Sequence, residues 1–150
     1  MSESIDRVAI VSGTHGNELT GVYLVKKFER YPQLLYRHFE CVTLLANPQA
    51  VVANRRYIDR DLNRSFDNAE LANATSIGYE AQRAQEIARE LANIDLIIDL
   101  HSSTAQMGLT ILPSSRHPFN LRLAAYLSTL HPDVRICYGL TANCDRMNHK

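Results

Sequence analysis

The sequence predicts an α/β fold, a mixed and largely parallel sheet flanked by helices. Three observations carry that prediction. Short aliphatic runs alternate with longer stretches at helical spacing, the pattern of strands joined by crossover helices. The run LIIDL, residues 96–100, is apolar almost without interruption, as befits a strand covered on both faces. Two of the runs also end in polar clusters, GTHGNE and DLHSST. In parallel sheets ligands gather there, beyond the carboxyl ends of the strands.

Residues 7–12 (RVAIVS) are short, β-branched and closed by Gly13, which reads as a buried strand. Residues 18–28 place Leu19, Val22, Tyr23 and Val25 at mixed helical spacing, with Asn17 the expected N-cap. A second strand over 39–46 stops at Asn47-Pro48. The clearest helix covers 79–93: Ala81, Ala84, Ile87, Ala88 and Leu91 share one face, and its charges are assigned to the opposite one. After the strand at 96–100 come a short strand at 110–112, a helix over 120–130 and a strand over 134–138.

A chain of 150 residues, 45% hydrophobic and 21% charged, fits one domain with a real core. Sixteen basic residues balance sixteen acidic ones, so no overall field draws it to nucleic acid or an anionic membrane. The amino terminus, MSESIDR, is polar, and no apolar stretch has membrane-spanning length. Cys41, Cys137 and Cys144 have no CxxC spacing and read as reduced thiols of a cytoplasmic protein.

His15 and Glu18 stand three apart in the turn after the first strand, and His101 follows the third strand directly. If the two strands are neighbours, these side chains face one crevice. Two local ligands and one remote one form a usual catalytic zinc set, leaving a coordination position for water. Asp99 lies two residues before His101, on the same side of an extended strand, where it can fix the imidazole tautomer. Alone, the HxxE pair recurs by chance; a strand-end histidine with its aspartate raises it to a candidate site. His38, His117, His131 and His149 sit among polar or proline-flanked residues and read as solvent-facing.

The stretch NRRYIDRDLNRSFD, residues 54–67, carries four arginines and three aspartates with little periodicity. It is either a self-neutralising surface loop or one whose arginines face a substrate and whose aspartates hold them. Composition leaves both open.

GTHGNELTGVYL, NPQAVVANRRYIDRDLNRSFD, YEAQRAQEI and IIDLHSSTAQMGLTI are ordered blocks running from Val8 to Ile111. Together they resemble the aspartoacylase branch of the aspartoacylase/succinylglutamate desuccinylase family of zinc hydrolases, similar in fold and metal site to zinc carboxypeptidases. The resemblance implies one zinc ion per chain, held by His15, Glu18 and His101. It implies that Arg56 polarises the acyl carbonyl and that Asn63 and Arg64 grip the substrate's α-carboxylate. The implied reaction is hydrolysis of an N-acyl amino acid, N-acetyl-L-aspartate to L-aspartate and acetate before other N-acyl amino acids. A peptide-cleaving zinc carboxypeptidase and a non-catalytic zinc-binding remnant are the alternatives. The expected partner is a small molecule, with homo-oligomerisation left open.

The family's general base is a glutamate on a later segment. Here the last glutamate is Glu90, and beyond His101 the only carboxylates are Asp133 and Asp145. Residues 1–150 are therefore expected to form a single catalytic domain that lacks the family's C-terminal part, a fragment of a longer enzyme.

Overall fold

The computed structural model describes residues 4–35, 38–73 and 75–138. It divides into two compact units, residues 1–102 and 103–150. The first unit is built on three parallel strands, β1 (Arg7–Ser12), β2 (Glu40–Leu45) and β3 (Leu96–Leu100), in the order β2-β1-β3. The expected parallel sheet is thus present, with the first strand at its centre. Its aliphatic composition follows from that place: Val8, Ala9 and Val11 are each at most 3% exposed.

Helix α1 (Leu19–Arg30) returns the chain from β1 to β2 and buries Val22 and Val25. Its N-cap position is Glu18 rather than Asn17, and no side chain caps it. The Glu18 carboxylate is engaged elsewhere, as described below. Asn47-Pro48 does more than end β2. Asn47 Oδ1 accepts the Ala50 amide at 3.2 Å and Pro48 opens the short helix α2 (Pro48–Val52), an element that reading the pair as a stop had missed. Proline at a first helical position removes only an amide that would lack a partner anyway.

Asp67 caps α3 (Asn68–Ala72) by accepting the amides of Ala69 and Glu70. Helix α4 (Tyr79–Glu90) buries Ala81, Ala84 and Ile87 as its periodicity predicts. It also buries Glu80 completely, which corrects the assignment of all its charges to solvent.

In the second unit, β4 (Thr110–Ile111) and β5 (Arg135–Ile136) pair in parallel, with α5 (Pro118–Leu130) between them in sequence. Both strands occur where the sequence placed them, but they form a separate two-stranded sheet. His38, His117 and His131 are exposed, as expected, whereas His149 and Cys144 fall outside the described residues. Cys41 and Cys137 are free thiols. Among the described residues no helix is long and apolar enough to cross a membrane.

Candidate active site

The carboxyl ends of β1 and β3 lie side by side, because the two strands pair directly with Ser12 opposite Leu100. His101 is the next residue after β3. His15 is reached through a turn that begins at Gly13, whose φ of 70° suits glycine. The turn closes with the Glu18 amide donating to the His15 carbonyl at 3.1 Å. Gly16 packs directly on α2: a Cβ there would overlap the backbone of Ala50 and Val51. The same glycine amide donates to the Arg56 carbonyl at 3.2 Å, which ties the arginine-rich segment to the turn.

One ligand atom from each of His15, Glu18 and His101 lies within 4.8 Å of the others. Glu18 sits between the two rings, with Oε1 2.7 Å from His15 Nδ1 and Oε2 3.0 Å from His101 Nδ1. The ring centroids are 5.0 Å apart. Each remaining ring nitrogen meets a different carboxylate: His101 Nε2 is 2.8 Å from Asp99 Oδ2, and His15 Nε2 is 3.1 Å from Asp61 Oδ1. Asp99 therefore stands where strand alternation put it. Its oxygens also accept the buried Thr14 hydroxyl, at 3.2 and 3.1 Å.

This pattern defines the chemistry. With a proton on each Nε2 facing its aspartate, both Nδ1 lone pairs point at the Glu18 carboxylate, acceptor against acceptor. Such contacts need a proton or a cation between them. With both imidazoles neutral, as metal ligands must be, the three carboxylates (Glu18, Asp61, Asp99) and one nearby guanidinium, Arg56, leave an excess of two negative charges. A divalent ion matches both demands, and two imidazoles with a carboxylate are donors that suit zinc. The residues therefore fit the metal.

Ionisation behaviour agrees with the geometry. Burial pushes the Glu18 carboxyl up, but the Ser102 amide and the two imidazoles outweigh it and hold it below its ordinary range. Burial likewise raises Asp61, yet His15, the Asn63 amide and Arg56 bring it down overall. For His101, desolvation disfavours the charged ring, while Asp99 and Glu18 more than compensate and raise its pKa.

The arginine-rich segment reaches this site only in part. Arg56 Nη2 donates to Asp61 Oδ2 at 3.2 Å, and Nη1 lies 3.8 Å from Glu18 Oε1. Asn63 Nδ2 is 3.4 Å from His15 Nε2. Arg64 is exposed and pairs with no carboxylate among the described residues. Arg60 turns away to a two-pronged ion pair with Glu70, at 3.1 and 2.8 Å. Of the three aspartates, Asp59 and Asp67 serve helix starts. Asp61 alone joins an arginine to a histidine, a role that the sequence did not single out.

The sequence model of the succinylglutamate desuccinylase/aspartoacylase catalytic domain matches residues 4–145. The chain belongs to this family. A probable aspartoacylase of Trichodesmium erythraeum is 51% identical over 89% of this chain and 48% of its own length. An N-acyl-aromatic-L-amino acid amidohydrolase of Xenopus laevis is 46% identical over 99% of this chain and 52% of its own. The crystal structure of murine aminoacylase 3 matches with a TM-score of 0.85 at 37% identity, over 92% of this chain and 48% of that one. The chain thus spans about half the length of the relatives it matches, and the expected α/β fold is the one it shares with them.

Proposed function

We propose that the protein contributes the metal-binding half of a zinc-dependent amidohydrolase acting on N-acyl amino acids, with N-acetyl-L-aspartate the first substrate to test. The observation that carries this reading is the convergence of His15, Glu18 and His101, with both outward ring nitrogens on carboxylates. Family membership supplies the reaction class.

When bound, zinc supplies Lewis acidity that brings deprotonation of water within reach of neutral pH. Asp99 and Asp61 keep the Nε2 protons of the two imidazoles, so each presents Nδ1 as a lone pair. Arg56, steadied by Asp61, offers its planar donors to the acyl oxygen as negative charge develops there. Asn63 and the exposed guanidinium of Arg64 are assigned to the substrate's α-carboxylate, which a planar fork binds in two-pronged fashion. Among the described residues the carboxylates beside the histidines are Glu18, Asp61 and Asp99, each already engaged. Resemblance to the family implies that the general base is a glutamate carried on a later segment of its enzymes.

A second reading, a preference for N-acyl aromatic amino acids, is favoured by the frog relative, which is 46% identical over 99% of this chain and 52% of its own length. Zinc titration followed by elemental analysis tests the common core: one ion per chain is expected, and none would defeat both readings. Acetate release from N-acetyl-L-aspartate, set against N-acetyl-L-tyrosine, separates them.

A further inference from the structure

Glu80 is an acid that the reaction does not use. It lies in the first turn of α4, is 0% exposed, and among the described residues meets four donors and no cation at hydrogen-bond distance. Oε1 accepts the Ile58 amide at 2.6 Å and the Asn47 side-chain amide at 3.1 Å. Oε2 accepts the amides of Asp59 at 2.9 Å and Arg60 at 3.3 Å. Three successive backbone N–H groups thus converge on one carboxylate, an anion nest whose anion is built into the chain. Burial alone would push this carboxyl up, but the amides and Asn47 together hold it below the ordinary range. The connection is reciprocal, since Asp59 Oδ2 accepts the Tyr79 amide at 2.6 Å and so caps the helix that carries Glu80.

The placement of this latch along the segment matters. Upstream, the backbone is already fixed: the Arg55 amide donates to the Ala50 carbonyl at 2.9 Å and the Arg56 carbonyl accepts from Gly16. Downstream, a 3-10 turn (Leu62–Arg64) is anchored by Leu62, which is 0% exposed. The latch holds residues 58–60, between Arg56 and the pair Asn63 and Arg64.

Resting on the proposed function above, we propose that Glu80 is a positioning residue for substrate binding. By gathering the amides of residues 58–60 it sets where Asn63 and Arg64 meet the α-carboxylate, and it leaves Arg56 and the metal ligands to their own anchors.

The test is Glu80→Gln in the same chain, loaded with zinc. All four partners donate, so the new amide nitrogen faces two N–H groups and the nest opens. The expected result is a Kd for N-acetyl-L-aspartate, measured by calorimetry, raised about tenfold, in keeping with the loss of one or two buried hydrogen bonds. Zinc stoichiometry should stay the same. Where turnover is followed, KM should rise in step while kcat changes by less than about threefold, the signature of lost uniform binding. Hydrogen exchange at the Ile58, Asp59 and Arg60 amides should speed up.

An unchanged Kd in a folded, zinc-loaded variant would overturn the proposal, as would a fall in kcat with KM unmoved. If Glu80→Gln does not fold, the exposed Asp59→Ala loosens the same latch from its other side. It should raise Kd by about threefold, the equivalent of one modest hydrogen bond, and no rise would again overturn the proposal. Failure of the functional reading looks different: the wild-type chain would bind neither zinc nor N-acetyl-L-aspartate, while the three amides would still be protected in wild type and exposed in the variant.

Discussion

His15 and His101 are brought together by backbone, Asn63 and Arg64 by side chains. The two histidines follow neighbouring parallel strands whose pairing runs from Val8 opposite Leu96 to Ser12 opposite Leu100. Slipping that register would move every buried side chain of β1 to the wrong face, so the core itself fixes the distance between the imidazoles. The segment from Arg55 to Phe66 has no ladder to hold it. It is held by buried Leu62 and Phe66 and by carboxylates: Glu80 on the amides of 58–60, Glu70 on Arg60, Asp61 on Arg56 and on the Asn63 amide. On the proposed roles, metal ligands set by a sheet should tolerate changes around them, whereas substrate-binding groups set by acids should depend on each acid and on its charge.

The largest test of this contrast removes a ligand. His15→Ala or His101→Ala is expected to take zinc from one ion per chain to none by elemental analysis, with the sheet intact by circular dichroism. Retention of a full equivalent in either would show that the ion is held elsewhere. Next come the two arginines. Arg56→Ala should lower kcat by about a hundredfold or more, the usual cost of a donor to a developing oxyanion. Arg64→Ala should instead act chiefly on KM, because it removes binding present in ground and transition states alike. The opposite pattern in steady-state kinetics would exchange their roles.

Asp61→Asn probes a residue that joins the two regions, since it touches His15 and Arg56. The amide keeps the shape and loses the charge. Zinc affinity measured by chelator competition should fall roughly ten- to a hundredfold, as for other carboxylates behind a ligating histidine. An unaltered affinity would mean that the loop follows the metal site without supporting it.

The smallest effect is one of pH. Because Glu80 is depressed in the folded state, its contribution to stability is fully present above the unfolded carboxyl pKa of about 4.3 and is lost as pH falls through the lower folded value. Melting temperatures of wild type and Glu80→Gln should therefore differ by a constant amount above about pH 5.5 and converge below about pH 4.3, as linkage requires. A gap that persists undiminished at pH 3 would show that the charge of Glu80 is not what holds the segment.

His15, Glu18, Asp99 and His101 were legible because their cues are local. A three-residue spacing, a strand end and a two-residue alternation are properties of a few adjacent amino acids, and short-range stereochemistry carries them directly into space. Asn47-Pro48 shows where local reading falters: the same two residues that stop a strand also begin a helix, and the choice depends on packing beneath Ala50. Thr14, Asp61 and Glu80 were not legible at all as partners of what they touch. Thr14 meets Asp99 across 85 positions, Asp61 meets His15 across 46, and Glu80 meets Ile58 across 22.

The sequence by itself determined which residues can hold a metal and that a parallel sheet would present them. Only the tertiary structure decided that Asp61 stands behind His15 and that Glu80 lies inside. Helical periodicity records how apolar a face is, whereas the burial of a charge requires donors that arrive from another part of the chain.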